Sequence, residues 1–193
     1  MVNEIIKKSL IEAIKKHENR AVIMMELPTD SYFETNIKSV LFLTKQGYDG
    51  IYISFQRPFK NITSLLEQNG IDTNKLYFID VATAFAKESQ EKNTKCLHIS
   101  STIDVDELVR AIYTSLEKLR GKKSFVFMDS LTTITLYKPL SEIMRLSEFL
   151  IRTVRDHEPH NIILILNVAK DLAQKKFIQD IAFHVDEVIS LVK

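Results

Sequence analysis

Phe125-Val126-Phe127-Met128-Asp129-Ser130-Leu131-Thr132 is the stretch on which the fold turns. Four apolar residues follow one another without a polar partner, and an aspartate and hydroxyl side chains end the run. A short run that is apolar on both faces of the pleat reads as a strand covered on both sides, the habit of a parallel sheet. Outward from it, Ala21–Met25, Ile51–Ser54, Leu76–Asp80 and Ile162–Leu166 are runs of the same kind. Between them, Phe33–Lys45, Pro58–Asn69, Asp104–Leu119 and Leu140–His157 carry apolar residues three and four apart, the spacing of a helix with one buried face. Gly47, Gly70 and Gly121 stand where helix C-caps belong, and Pro58 and Pro139 stand near helix starts. Asn3–His17 reads as an amphipathic helix with Asn3 as its N-cap. Asp171–Ile181 reads as a further helix, Val185–Val192 as a last strand and Cys96–Ile99 as a short extra one. The alternation predicts an α/β chain: a three-layer αβα sandwich around a mainly parallel central sheet. One domain is expected over residues 1–193, with the N-terminal helix in 1–20 and the core in 21–193.

Composition narrows the function. The chain is 45% hydrophobic and 26% charged, with 26 basic against 25 acidic side chains. A net charge of +1, with lysine pairs scattered as Lys7–Lys8, Lys15–Lys16, Lys122–Lys123 and Lys175–Lys176, gives no basic stripe for nucleic acid. Lysines interrupt the apolar residues of the first helix, so neither a secretory signal nor a membrane span is expected. Cys96 is the single cysteine, which excludes an intramolecular disulfide and a cysteine cluster for zinc. The expected setting is the cytoplasm.

In an open parallel sheet, ligands sit beyond the carboxyl ends of the strands. That directs attention to Glu26–Glu34, Ser54–Arg57, Asp80–Thr83, Asp129–Thr135 and Asn167–Asp171. Within them, Asp30, Glu34, Asp80 and Asp129 are candidates for an acidic pocket. Asp129 alone also suits a structural role, capping the turn that follows its strand. His157 and His160 flank Glu158-Pro159, and the proline breaks the helix that a zinc-binding pair would need. His98 and His184 read as packing residues in apolar runs. Cys96 reads as a buried, inert thiol, with mild activation between Lys95 and His98 as the other reading. Ser31, Ser54 and Ser130 lack a glycine-framed nucleophile elbow.

Two segments and the tail carry a family resemblance. Gly50-Ile51-Tyr52-Ile53-Ser54-Phe55-Gln56-Arg57-Pro58, the Phe125–Thr132 run and the closing Asp186-Glu187-Val188-Ile189-Ser190-Leu191 resemble RecA/KaiC-like ATPases of the archaeal type. The resemblance implies that Phe125–Asp129 stands as the Walker B strand, with Asp129 holding magnesium. It also implies a P-loop, G-x-x-x-x-G-K-[ST], after the first strand, whose backbone N–H groups and lysine cradle the phosphates. Laid on this chain, the motif's fixed positions fall on Leu27, Tyr32, Phe33 and Glu34. A side chain blocks the close backbone approach, no cation meets the phosphates, and a carboxylate would repel them. The glutamate that the family uses to polarise water is replaced by Gln56 and Arg57.

These readings lead to a non-catalytic RecA/KaiC-like protein, a regulatory or interaction module without catalytic residues, metal or cofactor. Its partner would be a protein: a second copy, or an active relative in a mixed oligomer. Tyr32, Phe33, Phe55 and Phe59 are the apolar side chains expected to be exposed for that contact, or else to pack inward. The alternative is a nucleotide binder that hydrolyses weakly or not at all. It would use Asp129, Ser130, Asp30 and Asn167, with Lys170, Lys175 and Lys176 supplying charge.

Overall fold

The structure, a computed structural model, describes residues 2–86, 93–100, 102–156 and 161–191. Seven strands alternate with helices along the chain: α1 (Val2–Lys16), β1 (Val22–Leu27), α2 (Tyr32–Lys45), β2 (Asp49–Ser54), α3 (Phe59–Gln68), β3 (Leu76–Asp80), α4 (Ala82–Ala86) and β4 (Cys96–His98). They continue as α5 (Val105–Glu117), β5 (Ser124–Asp129), α6 (Leu131–Ile134), α7 (Leu140–Asp156), β6 (Ile162–Ala169), α8 (Lys176–Ala182) and β7 (Glu187–Ser190). The strands form one parallel sheet in the order β4-β3-β2-β5-β6-β1-β7. The α/β sandwich expected from the sequence is the architecture observed.

Strand periodicity divides the core into two layers. Ile23, Met25, Tyr52, Phe78, Phe125, Phe127, Ile163 and Ile165 face α1, α2 and α3. Their neighbours Val22, Met24, Ile51, Ile53, Ile79, Val126, Met128, Leu164 and Leu166 face α5 to α8. Each fully buried aliphatic or aromatic side chain contributes about 1.5–3 kcal/mol, so both layers are needed to outweigh the backbone entropy lost on folding. Gly50 in β2 is set by this packing. A Cβ there would lie 2.2 Å from Cζ of Phe125, whose ring is fully buried. Gly47, at φ 85°, lets the chain turn from α2 into β2 without strain.

Several boundaries differ from the sequence reading for physical reasons. Asn3 lies inside α1, which begins at Val2, rather than ahead of it. β6 runs on through Asn167 to Ala169 because a buried amide is accepted at this strand end. The helix expected over Asp171–Ile181 is split. Lys170–Leu172 is a 3-10 turn, held where Thr29 Oγ1 donates to Asp171 and Lys170 Nζ donates to the Leu191 carbonyl. Only then does α8 bury Ile178 and Ile181. α4 and α6, at five and four residues, are too short to show a helical period in sequence. His157, Glu158, Pro159, His160 and Val192 lie outside the described residues. Among the described residues, no helix is long and apolar enough to cross a membrane.

Candidate functional site

Strand alternation places Asp129 on the same face as Phe125 and Phe127, under α2. β2 runs alongside in register, pairing Tyr52 with Phe127 and Ser54 with Asp129. The carboxylate is 2% exposed and receives two phenol donors. Tyr52, fully buried in β2, donates to Oδ2 at 2.6 Å, and Tyr32, in the first turn of α2, donates to Oδ1 at 3.0 Å. The Tyr52 ring stacks on Phe127 at 5.3 Å between centroids, which fixes the hydroxyl's aim.

Burial pushes the Asp129 carboxyl above its ordinary pKa. The Tyr52 and Tyr32 hydroxyls, the Arg57 guanidinium and Asn36 act in the opposite direction. Burial, and then the charge of Asp129, pushes both phenols well above the usual tyrosine value, so they remain donors at any ordinary pH. Arg57 is held over the Phe33 ring with its guanidinium carbon 4.2 Å from the centroid. Asn36, one turn into α2 and fully buried, lies near enough to affect Asp129. Neither its Nδ2 nor its Oδ1 reaches hydrogen-bond geometry with a partner among the described residues. Asn167 donates from Nδ2 to the Met128 carbonyl at 3.1 Å, leaving its buried Oδ1 without a partner among those residues.

The structure sorts the sequence candidates. Asp129, Ser130 and Asn167 gather at this strand end, whereas Asp30 is exposed on the loop between β1 and α2. The capping role considered for Asp129 belongs to Ser130, whose Oγ accepts from the Thr133 N–H at the start of α6. Gln56 is tied to the same turn, donating to Thr133 Oγ1 at 3.0 Å and Ser130 Oγ at 3.4 Å. The four-carboxylate pocket does not assemble, because Glu34 pairs with Lys38 and Asp80 is held elsewhere. The aromatic patch is not exposed either. Phe55 is buried, and Tyr32, Phe33 and Phe59 are half-buried against the α1–α3 layer. The exposed apolar side chains nearest the site in sequence are Leu136 (74% exposed), Tyr137 and Leu140, beyond α6. Sequence reasoning missed both tyrosines as partners of Asp129. The only signal was a polar-tipped aromatic at two points of otherwise apolar runs.

A second polar group lies at the ends of β3 and β4. Buried Asp80 accepts from the Phe59 N–H (2.8 Å), the Thr83 N–H (2.9 Å) and the Thr83 hydroxyl (2.5 Å). Its Oδ2 lies 3.4 Å from His98 Nδ1, and His98 Nε2 lies 3.6 Å from Cys96 Sγ. Burial, and then the nearby Asp80, pushes the Cys96 thiol up to about 12. His98 is largely buried, as its apolar run suggested, but His184 is exposed, contrary to that expectation.

No protein-family model and no curated protein sequence matches the chain. Solved structures do. The uncharacterized protein PH0321 of Pyrococcus horikoshii, solved in complex with an unknown peptide, superposes with a TM-score of 0.64 at 15% identity, over 89% of this chain and 77% of that one. The KaiC-like protein PH0186 of the hyperthermophilic archaeon Pyrococcus horikoshii OT3 superposes with a TM-score of 0.59 at 16% identity, over 89% of this chain and 71% of that one. At such identities the likeness establishes the fold, which is KaiC-like.

Proposed function

We propose that this protein is a non-catalytic KaiC-like module of the cytoplasm that acts through protein contacts. The observation that carries the reading is the double tyrosine bond to Asp129. In the ATPases this chain resembles, the corresponding aspartate serves magnesium. Here both carboxylate oxygens are taken by phenols. One of the two, Tyr32, stands where the resemblance puts a P-loop glycine. A hydrogen bond to a charged group contributes about 1.5–3 kcal/mol. Opening this carboxylate to a hydrated cation therefore costs two such bonds, in a loop whose residues Pro28-Thr29-Asp30-Ser31 offer no cation.

The contact surface follows from exposure. Leu136, Tyr137 and Leu140 leave the Asp129 strand end and face solvent, a placement that suits a partner docking beside the former nucleotide edge. The peptide solved with PH0321 is in keeping with peptide or protein binding on this fold.

A second reading, a nucleotide binder that does not turn over, draws on the Asn36 amide and the Asn167 Oδ1, which lack hydrogen-bond partners among the described residues. Of the lysines after β6, Lys170 is committed to Leu191, which leaves exposed Lys175 and Lys176 to supply charge. Phosphate release from MgATP tests the main reading. The expected rate equals that of a heat-denatured control, and turnover that Asp129→Asn abolishes would overturn it.

A further inference from the structure

β4 is the edge strand of the sheet and pairs with β3 in parallel, Phe78 opposite Cys96 and Asp80 opposite His98. Cys96 and His98 are two residues apart, so they project from one face of the strand, the face on which Asp80 ends β3. One donor atom from each of the three side chains lies within 4.8 Å of the other two. An ion with bonds of about 2.3 Å to sulfur and about 2.0–2.1 Å to nitrogen and oxygen holds tetrahedral ligands roughly 3.3–3.6 Å apart. The Cys96 Sγ to His98 Nε2 separation, 3.6 Å, already has that length. The Asp80 Oδ2 now lies 3.4 Å from the other ring nitrogen, Nδ1, and within 4.8 Å of the group, so the imidazole and the carboxylate re-aim towards one point when the ion binds.

The donor set selects the ion. Thiolate sulfur, imidazole nitrogen and carboxylate oxygen together suit zinc and its borderline neighbours, whereas magnesium and calcium require oxygen ligands throughout. The Phe59 and Thr83 N–H groups and the Thr83 hydroxyl aim the Asp80 carboxylate, as outer partners do around metal-bound carboxylates. The His98 side chain is 12% exposed, which gives an approach from the sheet edge.

We propose that Asp80, Cys96 and His98 form a binding site for a divalent cation of the zinc kind, with three protein ligands and a fourth position open to solvent. The site lies at the edge of the sheet, apart from Asp129, and does not depend on the nucleotide reading. Binding displaces the thiol proton to solvent, because the thiolate is the ligand.

The test is a Co2+ titration of the reduced, chelator-treated full chain. Cys96 is the only cysteine, so cobalt–thiolate charge-transfer absorption reports this sulfur alone. The expected result is one cobalt per chain with the strong visible bands of tetrahedral coordination, displaced by zinc. Cys96→Ser and His98→Asn should abolish both signals while circular dichroism stays unchanged. Asp80→Asn, which keeps one of the two acceptor oxygens, should weaken cobalt binding at least tenfold in a chain whose circular dichroism is unchanged. The proposal is overturned by a folded chain without a thiolate band, by a band that survives His98→Asn, by one cobalt per two chains, or by undiminished affinity in Asp80→Asn.

Discussion

Tyr52→Phe removes one oxygen from the centre of the Asp129 site and leaves the rest in place. The ring keeps its stacking on Phe127, and only the donor to Oδ2 at 2.6 Å is lost. Tyr52 is fully buried, so bulk water has no direct route to the vacated position. A hydrogen bond to a charged acceptor contributes about 1.5–3 kcal/mol, and the variant should lose that amount at neutral pH. For a chain of this length the loss corresponds to a fall of roughly 3–12 °C in Tm. The pH dependence has a definite sign. The folded-state pKa of Asp129 is raised above its ordinary value of 3.8, so its contribution to stability is full below that value and is lost as pH rises through the folded pKa. The Tyr52 hydroxyl opposes that rise, and removing it pushes the folded pKa higher still. The variant's deficit should therefore be largest at neutral pH and shrink towards pH 3.8, as the carboxyl becomes protonated on the way down. Urea unfolding at the two pH values measures it. A neutral-pH cost under about 0.5 kcal/mol, or one that grows on acidification, would refute the reasoning.

At Asp129 itself, Asp129→Ala orphans two phenol donors and should cost more than about 2 kcal/mol in chemical denaturation. Asp129→Asn removes the buried charge while keeping an acceptor, and should be near neutral or stabilising. Gly50→Ala drives a methyl into the buried Phe125 ring and should cost about 1–3 kcal/mol, read as a lowered Tm; an unchanged Tm would contradict the packing described. With its thiol pushed up to about 12, Cys96 should react with a thiol reagent at neutral pH far more slowly than a free thiol, and labelling of the native protein at the free-thiol rate would contradict that.

The five central strands were legible because each is apolar on both faces. β6 was cut short only because Asn167 looks like a strand end in sequence, although its amide is buried. The split of the helix expected over Asp171–Ile181 depends on a bond from Lys170 to Leu191, which no local pattern announces. Asp129, Ser130 and Asn167 lie at one end of the sheet, as the carboxyl ends of neighbouring parallel strands must. Asp30 is exposed on the loop between β1 and α2, where a residue's aim is set by tertiary contacts. Tyr32 and Tyr52 lie 97 and 77 residues from Asp129, and their hydroxyls meet it only through the register of β2 with β5 and the seating of α2. Asp80, Cys96 and His98 were each visible alone, but only the pairing of β3 with β4 makes them one group.

The central claim, that Tyr32 and Tyr52 close the magnesium position, is tested most directly by a thermal shift with millimolar ATP, ADP or GTP and magnesium. A nucleotide at about a hundred times its Kd would stabilise the fold by about 2.7 kcal/mol, a rise of roughly 5–11 °C. The account predicts no rise with any of the three. A rise in the wild-type protein that Asp129→Asn removes would contradict it.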